Sequence, residues 1–201
     1  MNNIFTNTRK GFLMVTLFAT MLSFANENSF YSIKVEANKT TLTLDYAKEG
    51  SLLSLKNAAG TVICSETIKT TGKYTREFNL AFLSNGNYMF EVDKDLEIKE
   101  IPFTINSGIA SFNKYKERTV YKPFIRVSND MLYISKLALD GEPLDIEIVY
   151  TRKNSFNSQV VVSEKLSDKE KIEKAYKLSG LKEGNYQVVV YTAHRKYEKN
   201  I

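Results

Sequence analysis

Leu83-Ser84-Asn85-Gly86-Asn87-Tyr88-Met89-Phe90-Glu91-Val92 returns 98 residues later as Leu181-Lys182-Glu183-Gly184-Asn185-Tyr186-Gln187-Val188-Val189-Val190. The leucine, the Gly-Asn-Tyr triplet and the closing valine are kept, and every second residue from the tyrosine onward is apolar. A period of two after a glycine turn marks a strand with one buried face. The same strand, written twice in one chain, points to a duplicated β unit.

Working outward, residues 62–92 lie over 160–190 without a gap. The identities include Val62/Val160, Ser65/Ser163, Glu66/Glu164 and Leu80/Leu178, while Ile63/Val161, Ile68/Leu166, Phe78/Tyr176 and Phe90/Val188 keep apolar or aromatic character. Further upstream, Ile33-Lys34-Val35 matches Ile125-Arg126-Val127 at an offset of 92, so the second copy is six residues longer between the blocks, most of them in the loop 151–158. The units are expected at 26–108 and 109–201.

Within the first unit, short apolar runs predict strands near 31–36, 40–46, 51–56, 61–67, 74–81, 87–93 and 97–105. Asn57-Ala58-Ala59-Gly60 and Ser84-Asn85-Gly86 supply turns. The second unit repeats the order near 120–127, 131–139, 144–150, 159–166, 173–178 and 185–192. The expected fold class is all-β, two tandem small antiparallel β-sandwiches of immunoglobulin or fibronectin-III type. One stretch conflicts. Ser167-Asp168-Lys169-Glu170 is a capping box ahead of helix formers, but its counterpart at 69–80 is rich in β-formers, so a charged loop and a strand are expected, with room for one helical turn at 167–171. The offset also sets Phe103 against Ile201, the last residue given, so the second unit's final strand is short or missing its end. That edge either accepts a strand from a partner or is a charged terminal strand that frays.

The first 25 residues read as an export signal. Arg9 and Lys10 precede the charge-free apolar run 11–25, whose 15 residues are fewer than the roughly twenty needed to span a bilayer. Ser23-Phe24-Ala25 offers small residues where a signal peptidase needs them, giving a mature start at Asn26; the alternative is an uncleaved anchor. Without Arg9 and Lys10 the basic count falls from 28 to 26 against 23 acidic residues, and the formal charge from +5 to +3. So small a surplus does not make the clustered basic face that nucleic acid binding requires, and no nucleic acid partner is expected.

Candidates for chemistry are few. The chain has one histidine, one cysteine and no tryptophan. His194, beside Arg195 and Lys196, reads as a surface histidine on the terminal strand. Cys64 aligns with Val162 and reads as a buried hydrophobe. Asp93 and Asp95 with Glu91, and Asp140 with Glu142 around Gly141, are carboxylate pairs of the kind that serve glycosidases or calcium; in lysine-interrupted hairpin turns they read as solvated turn residues. Phe112, Tyr115, Tyr121 and Phe124 among Lys114, Lys116, Arg118 and Lys122 form an aromatic and basic strip, read as the junction between the units rather than a stacking platform. Asn38-Lys39-Thr40 is a formal glycosylation sequon. No catalytic, cofactor-binding or metal-ligating residue is assigned, no cofactor is expected, and an enzyme is not.

The repeated Leu-x-x-Gly-x-Tyr segment, with apolar residues alternating after the tyrosine, resembles that of small exported β-sandwich modules common in Bacteroidota. These include the C-terminal sorting domains of type IX secretion and related secreted domains. The resemblance implies an exported protein of the periplasm, cell surface or medium. The motif is duplicated here with no cargo domain ahead of it, unlike the sorting-domain pattern. The resulting expectation is a non-catalytic binding, adhesion or assembly module whose partner is an envelope protein or a glycan, the alternative being a C-terminal unit that a secretion machine recognises.

Overall fold

The structure is a computed structural model that describes residues 29–36, 39–167 and 170–201. The export signal, Asn38 of the sequon and Asp168-Lys169 of the capping box lie outside the described residues.

Among the described residues the regular structure is β apart from one 3-10 turn at Lys114–Lys116. Its strands are β1 (Tyr31–Glu36), β2 (Lys39–Ala47), β3 (Leu52–Asn57), β4 (Val62–Thr67), β5 (Gly72–Phe78), β6 (Gly86–Asp93), β7 (Glu97–Asn106), β8 (Ile109–Phe112), β9 (Arg118–Tyr121) and β10 (Phe124–Ser128). There follow β11 (Met131–Leu137), β12 (Leu144–Arg152), β13 (Ser158–Leu166), β14 (Lys171–Lys177), β15 (Gly184–Thr192) and β16 (Arg195–Asn200). They form two sandwiches of the same plan. The first sets the sheet β1-β2-β5 against β4-β3-β6-β7-β8, with β9 also on β7; the second sets β10-β11-β14 against β13-β12-β15-β16. All pairings are antiparallel.

Each sandwich has its own core, built from the alternating residues. Leu42, Leu44, Leu53, Phe90, Val92, Ile101 and Phe103 fill the first, and Leu132, Ile134, Ile146, Ile148, Val188 and Val190 the second. Phe90, fully buried, stacks between Phe78, Phe103 and Phe112. The repeated tyrosines bind back across the preceding turn: the Tyr88 hydroxyl donates to the Ser84 carbonyl at 2.9 Å, and the Tyr186 hydroxyl to the Ser179 carbonyl. Gly184 is required by close packing, since a Cβ there would stand 2.4 Å from the Thr151 carbonyl oxygen and 2.5 Å from the Tyr150 ring.

The duplication extends to the bonds that close the side of each sandwich. On β4, Glu66 accepts from the Tyr74 hydroxyl at 2.7 Å and pairs with Arg76 at 3.1 Å, both on β5 of the opposite sheet. On β13, Glu164 accepts from the Tyr176 hydroxyl and pairs with Lys174 at 2.9 Å, both on β14. Burial, then the neighbouring Glu66, pushes the Tyr74 phenol up to about 12. The Tyr176 hydroxyl and Lys174 hold Glu164 below the usual carboxylate range.

Several local expectations are corrected. The segment read as one strand at 120–127 is two, broken at Lys122-Pro123, and Pro123 brings no N–H to a ladder. Residues 109–112 and 118–121 were not expected to pair with the first sheet, yet both do so along β7. Cys64 is exposed: β4 is the sheet's edge strand, and being opposite buried Leu55 does not enclose it. The stretch with helix formers does contain the expected strand, β14, paired with β11 throughout. The last strand β16 begins 98 residues after β7 and is shorter, and it is bonded to β15 along its length.

Candidate functional site

The two sandwiches meet where β9 leaves β7. β9 holds the β7 register until Tyr121 stands opposite Glu97, and the Lys122 amide donates to the Leu96 carbonyl at 2.9 Å. Pro123 then releases the chain into β10, which starts a different sheet. A cleft of about 430 Å³ opens at this step, walled by Leu96, Glu97, Tyr121 and Lys122 from the first sandwich and by Phe124, Ser135, Lys136, Leu137 and Lys171 from the second. Its apolar side chains are open to solvent, with Leu96 60%, Phe124 51% and Leu137 48% exposed. Apolar side chains this exposed at a concave junction are what a partner surface would cover.

Three lysines and one glutamate line the cleft. Lys122 pairs with Asp93, and Lys171 with Glu173 at 2.8 Å. Lys136 is different, because it follows Leu132 and Ile134 on the buried face of β11 and its own side chain is fully buried. It pairs with Asp140 at 3.2 Å and donates to the Glu142 carbonyl at 3.3 Å, and the Glu142 carboxylate in turn takes Arg118 of β9 at 2.6 Å. This relay ties the turn 138–143 of the second sandwich to the first.

A second ionic group joins the same two bodies. Glu91 on β6 and Glu100 on β7 stand directly opposite each other on the outer face of the first sheet, away from Phe90 and Ile101. Like charges in that position repel. Arg195 at the start of β16 reaches both, at 2.6 Å and 2.8 Å, and Lys56 takes Glu91 at 2.7 Å. Burial alone would raise the Glu91 carboxyl, but hydrogen bonds and charge from Lys56 and Arg195 outweigh it and hold the group below its ordinary value. Beside this group Ile98 and Val120, a cross-strand pair on the same outer face, are 2% and 1% exposed and belong to neither core.

The carboxylates singled out by sequence are therefore not solvated turn residues as a class. Glu91 is buried between cations, Asp140 is enclosed against Lys136, Asp93 holds Lys122, and only Asp95, paired with Lys48, is largely exposed. Each has its own cation rather than a shared opening. Among the described residues no three His, Cys, Asp or Glu side chains gather as a metal site would need. The aromatic strip divides: Phe112 packs on the first core, Tyr115 is fully exposed, and Tyr121 and Phe124 line the cleft. His194 is exposed but lies in the two-residue turn between β15 and β16, not on a strand. Sequence reading missed Lys136 and Arg195. The first was readable as a cation on an apolar stripe, the second as the counter-charge that two facing glutamates require.

No family model matches the chain, and no curated protein matches it. Among solved structures it is similar to the FN1-FN3 domains of chicken CNTN1, with 11% identity and a TM-score of 0.24 over 85% of this chain and 62% of that one. It is also similar to the BSP domain of a biofilm associated protein (10% identity, TM-score 0.24, 85% of this chain and 29% of that one). A third is the human OSCAR ligand-binding domain (9%, 0.24, 86% and 97%). The chain thus spans about three fifths of the length of the CNTN1 structure and less than a third of the biofilm protein.

Proposed function

We propose that this chain is a non-catalytic binding module, exported by the leader at 1–25, and that the junction cleft is where it takes a partner of the cell envelope. The observation that carries this reading is the exposure of Leu96, Phe124 and Leu137 around one concavity whose two walls are fixed to each other by buried ion pairs. A site held open in this way loses little conformational entropy on binding. Lys136 is buried against Asp140 and Lys122 is held by Asp93, so the lining offers mainly its apolar side chains with the exposed Lys171 at the rim, and the ligand chemistry that fits is an apolar side chain with a carboxylate beside it, as on a segment of an envelope protein. No helix among the described residues is long and apolar enough to cross a membrane.

The test is capture from envelope extracts by the secreted chain, compared with Phe124→Asp and Leu137→Asp variants and with Phe82→Asp as a control outside the cleft. A partner retained by wild type and the control but lost by both cleft variants supports the reading. Equal capture by all four moves the site elsewhere, and capture of nothing above background ends the binding proposal.

A further inference from the structure

The cleft does not end at the junction. Phe124 and Ser135, which wall it, also line a second recess of about 390 Å³ that includes Arg126, Tyr133, Glu173 and Ala175. This recess lies on the outer face of the sheet β10-β11-β14, where Phe124 stands opposite Ser135, Arg126 opposite Tyr133, and Tyr133 opposite Ala175. Residues two apart on one face of a strand are about 6.6–6.8 Å from each other, so Leu137, Ser135 and Tyr133 mark a track along β11 that reaches the level of Arg126 about 13 Å from the cleft. Ser135 and Ala175 are small, which makes the track a groove. Arg126 is the odd cation beside it. Its guanidinium lies over the Tyr133 ring, 4.5 Å from the centroid. The other described arginines each hold a carboxylate: Arg76 takes Glu66, Arg118 takes Glu142, Arg152 takes Glu183, and Arg195 takes Glu91 and Glu100. Among the described residues no carboxylate pairs with Arg126, and the nearby Glu173 and Glu164 are already matched by Lys171 and Lys174.

We propose that the groove continues the cleft and that its occupant is an extended segment of a partner protein, with an apolar side chain seated among Leu96, Phe124 and Leu137 and an acidic side chain, two or four residues on, paired with Arg126. This rests on the cleft reading above and adds to it the conformation of the ligand and the residue that reads its charge. An extended segment has the same two-residue pitch as the track beneath it, so both side chains fall on one face. The guanidinium, held flat on the Tyr133 ring, offers a carboxylate two parallel N–H donors and loses little freedom in doing so. An acidic glycan is the poorer match. The cleft end is walled by Leu96, Phe124 and Leu137, and its Lys122 and Lys136 are already paired, so the hydroxyls of a sugar ring would be desolvated there without partners.

The experiment is fluorescence anisotropy of the secreted chain with end-capped serine-threonine peptides that carry one leucine and one glutamate, two or four positions apart. Versions with glutamine for glutamate are run beside them, and polygalacturonate serves as an acidic glycan competitor. Wild type is expected to favour a glutamate peptide over its glutamine version by about tenfold. Arg126→Gln should abolish that preference and leave the affinity for the glutamine version unchanged, and Arg126→Lys should restore part of it. Leu137→Asp should lose both peptides. These side chains are exposed, so circular dichroism should match wild type. Equal affinity of wild type for the two versions, a preference that survives Arg126→Gln, binding of neither peptide, or tighter binding of polygalacturonate than of any peptide would each overturn the proposal. Loss of the preference with Leu137→Asp still abolishing binding leaves the cleft standing and removes only the groove, whereas wild-type binding by Leu137→Asp removes both.

Discussion

Replacing Arg195 by Met keeps an unbranched apolar stem and removes the cation that reaches both Glu91 and Glu100. The three side chains are 24%, 5% and 16% exposed, so the group is mostly withdrawn from water. Removing one partner of such a buried pair costs about 3–5 kcal/mol. Glu91 keeps Lys56 at 2.7 Å, which places the expected loss near the low end, about 3 kcal/mol. For a chain of this size that is a fall in Tm of about 6–12 °C. Adding Glu100→Gln removes the repulsion across β6 and β7 and should restore at least half of the loss. The acid side of the profile provides an independent check. The folded-state value of Glu91 is below its unfolded one, so its contribution is fully present above about pH 4.3 and is lost as pH falls through the folded value. Without the guanidinium, burial drives the same carboxyl upward and that contribution shrinks. The gap between wild type and variant should therefore narrow below about pH 4.3. Scanning calorimetry at pH 7 and in acid measures all of this. Wild-type-like melting of Arg195→Met at pH 7, no rescue by Glu100→Gln, or a gap that widens in acid would refute the reasoning.

Gly184→Ala should destabilise by about 1–3 kcal/mol or more, because the new Cβ meets the Thr151 carbonyl at 2.4 Å and backbone has to shift; urea unfolding reads the loss. Phe90→Ala removes the fully buried ring that three other aromatic rings contact and should cost about 3–5 kcal/mol by the same measurement. The hairpin between β15 and β16 turns on Ala193 and His194 at φ of 50° and 58°, a conformation that suits Asn-Gly, so the double change Ala193→Asn with His194→Gly should stabilise by about 1–2 kcal/mol and raise Tm.

What could be read from the sequence, and what could not, follows from the range of the forces involved. Strands such as β6 and β15 were legible because a glycine turn, a tyrosine and period-two apolar residues are all local. The strand β14 was legible only through its duplicate, since Glu170 to Lys177 taken alone favours helix and it is pairing with β11 that decides. The strands β8 and β9 were hidden, because nothing in Ile109–Phe112 distinguishes a connector from a strand until β7 is known to have a free edge. Cys64 misled for a related reason. Alignment with Val162 gave its side-chain class, but burial at an edge depends on whether the opposite sheet reaches that far. The cleft was half legible: Tyr121 and Phe124 stood out as aromatics at a junction, while Leu96 and Leu137 join them only through tertiary packing.

The two copies differ most usefully at the positions that join them. The offset that superimposes the sandwiches sets Glu97 against Arg195, Glu91 against Val189 and Asp93 against Tyr191. The first sheet thus presents carboxylates on its outer face, and the second sandwich has put a cation where the first has an acid. Core residues at the same offset stay apolar, as Phe90/Val188 and Val92/Val190 show. A core tolerates exchange among apolar side chains of fitting volume, but two identical outer faces would set like charges together. Divergence of charge on the outer face, with the core class held constant, is what lets one fold pack against its own duplicate in a single register, and that register creates the cleft. Reversing the whole group, with Arg195→Glu, Glu91→Arg, Glu100→Arg and Lys56→Glu together, should preserve the register, because every contact among these four keeps its sign relation; a melting temperature near that of wild type would show it, and melting as low as that of Arg195→Glu alone would show that geometry, not charge, sets the junction.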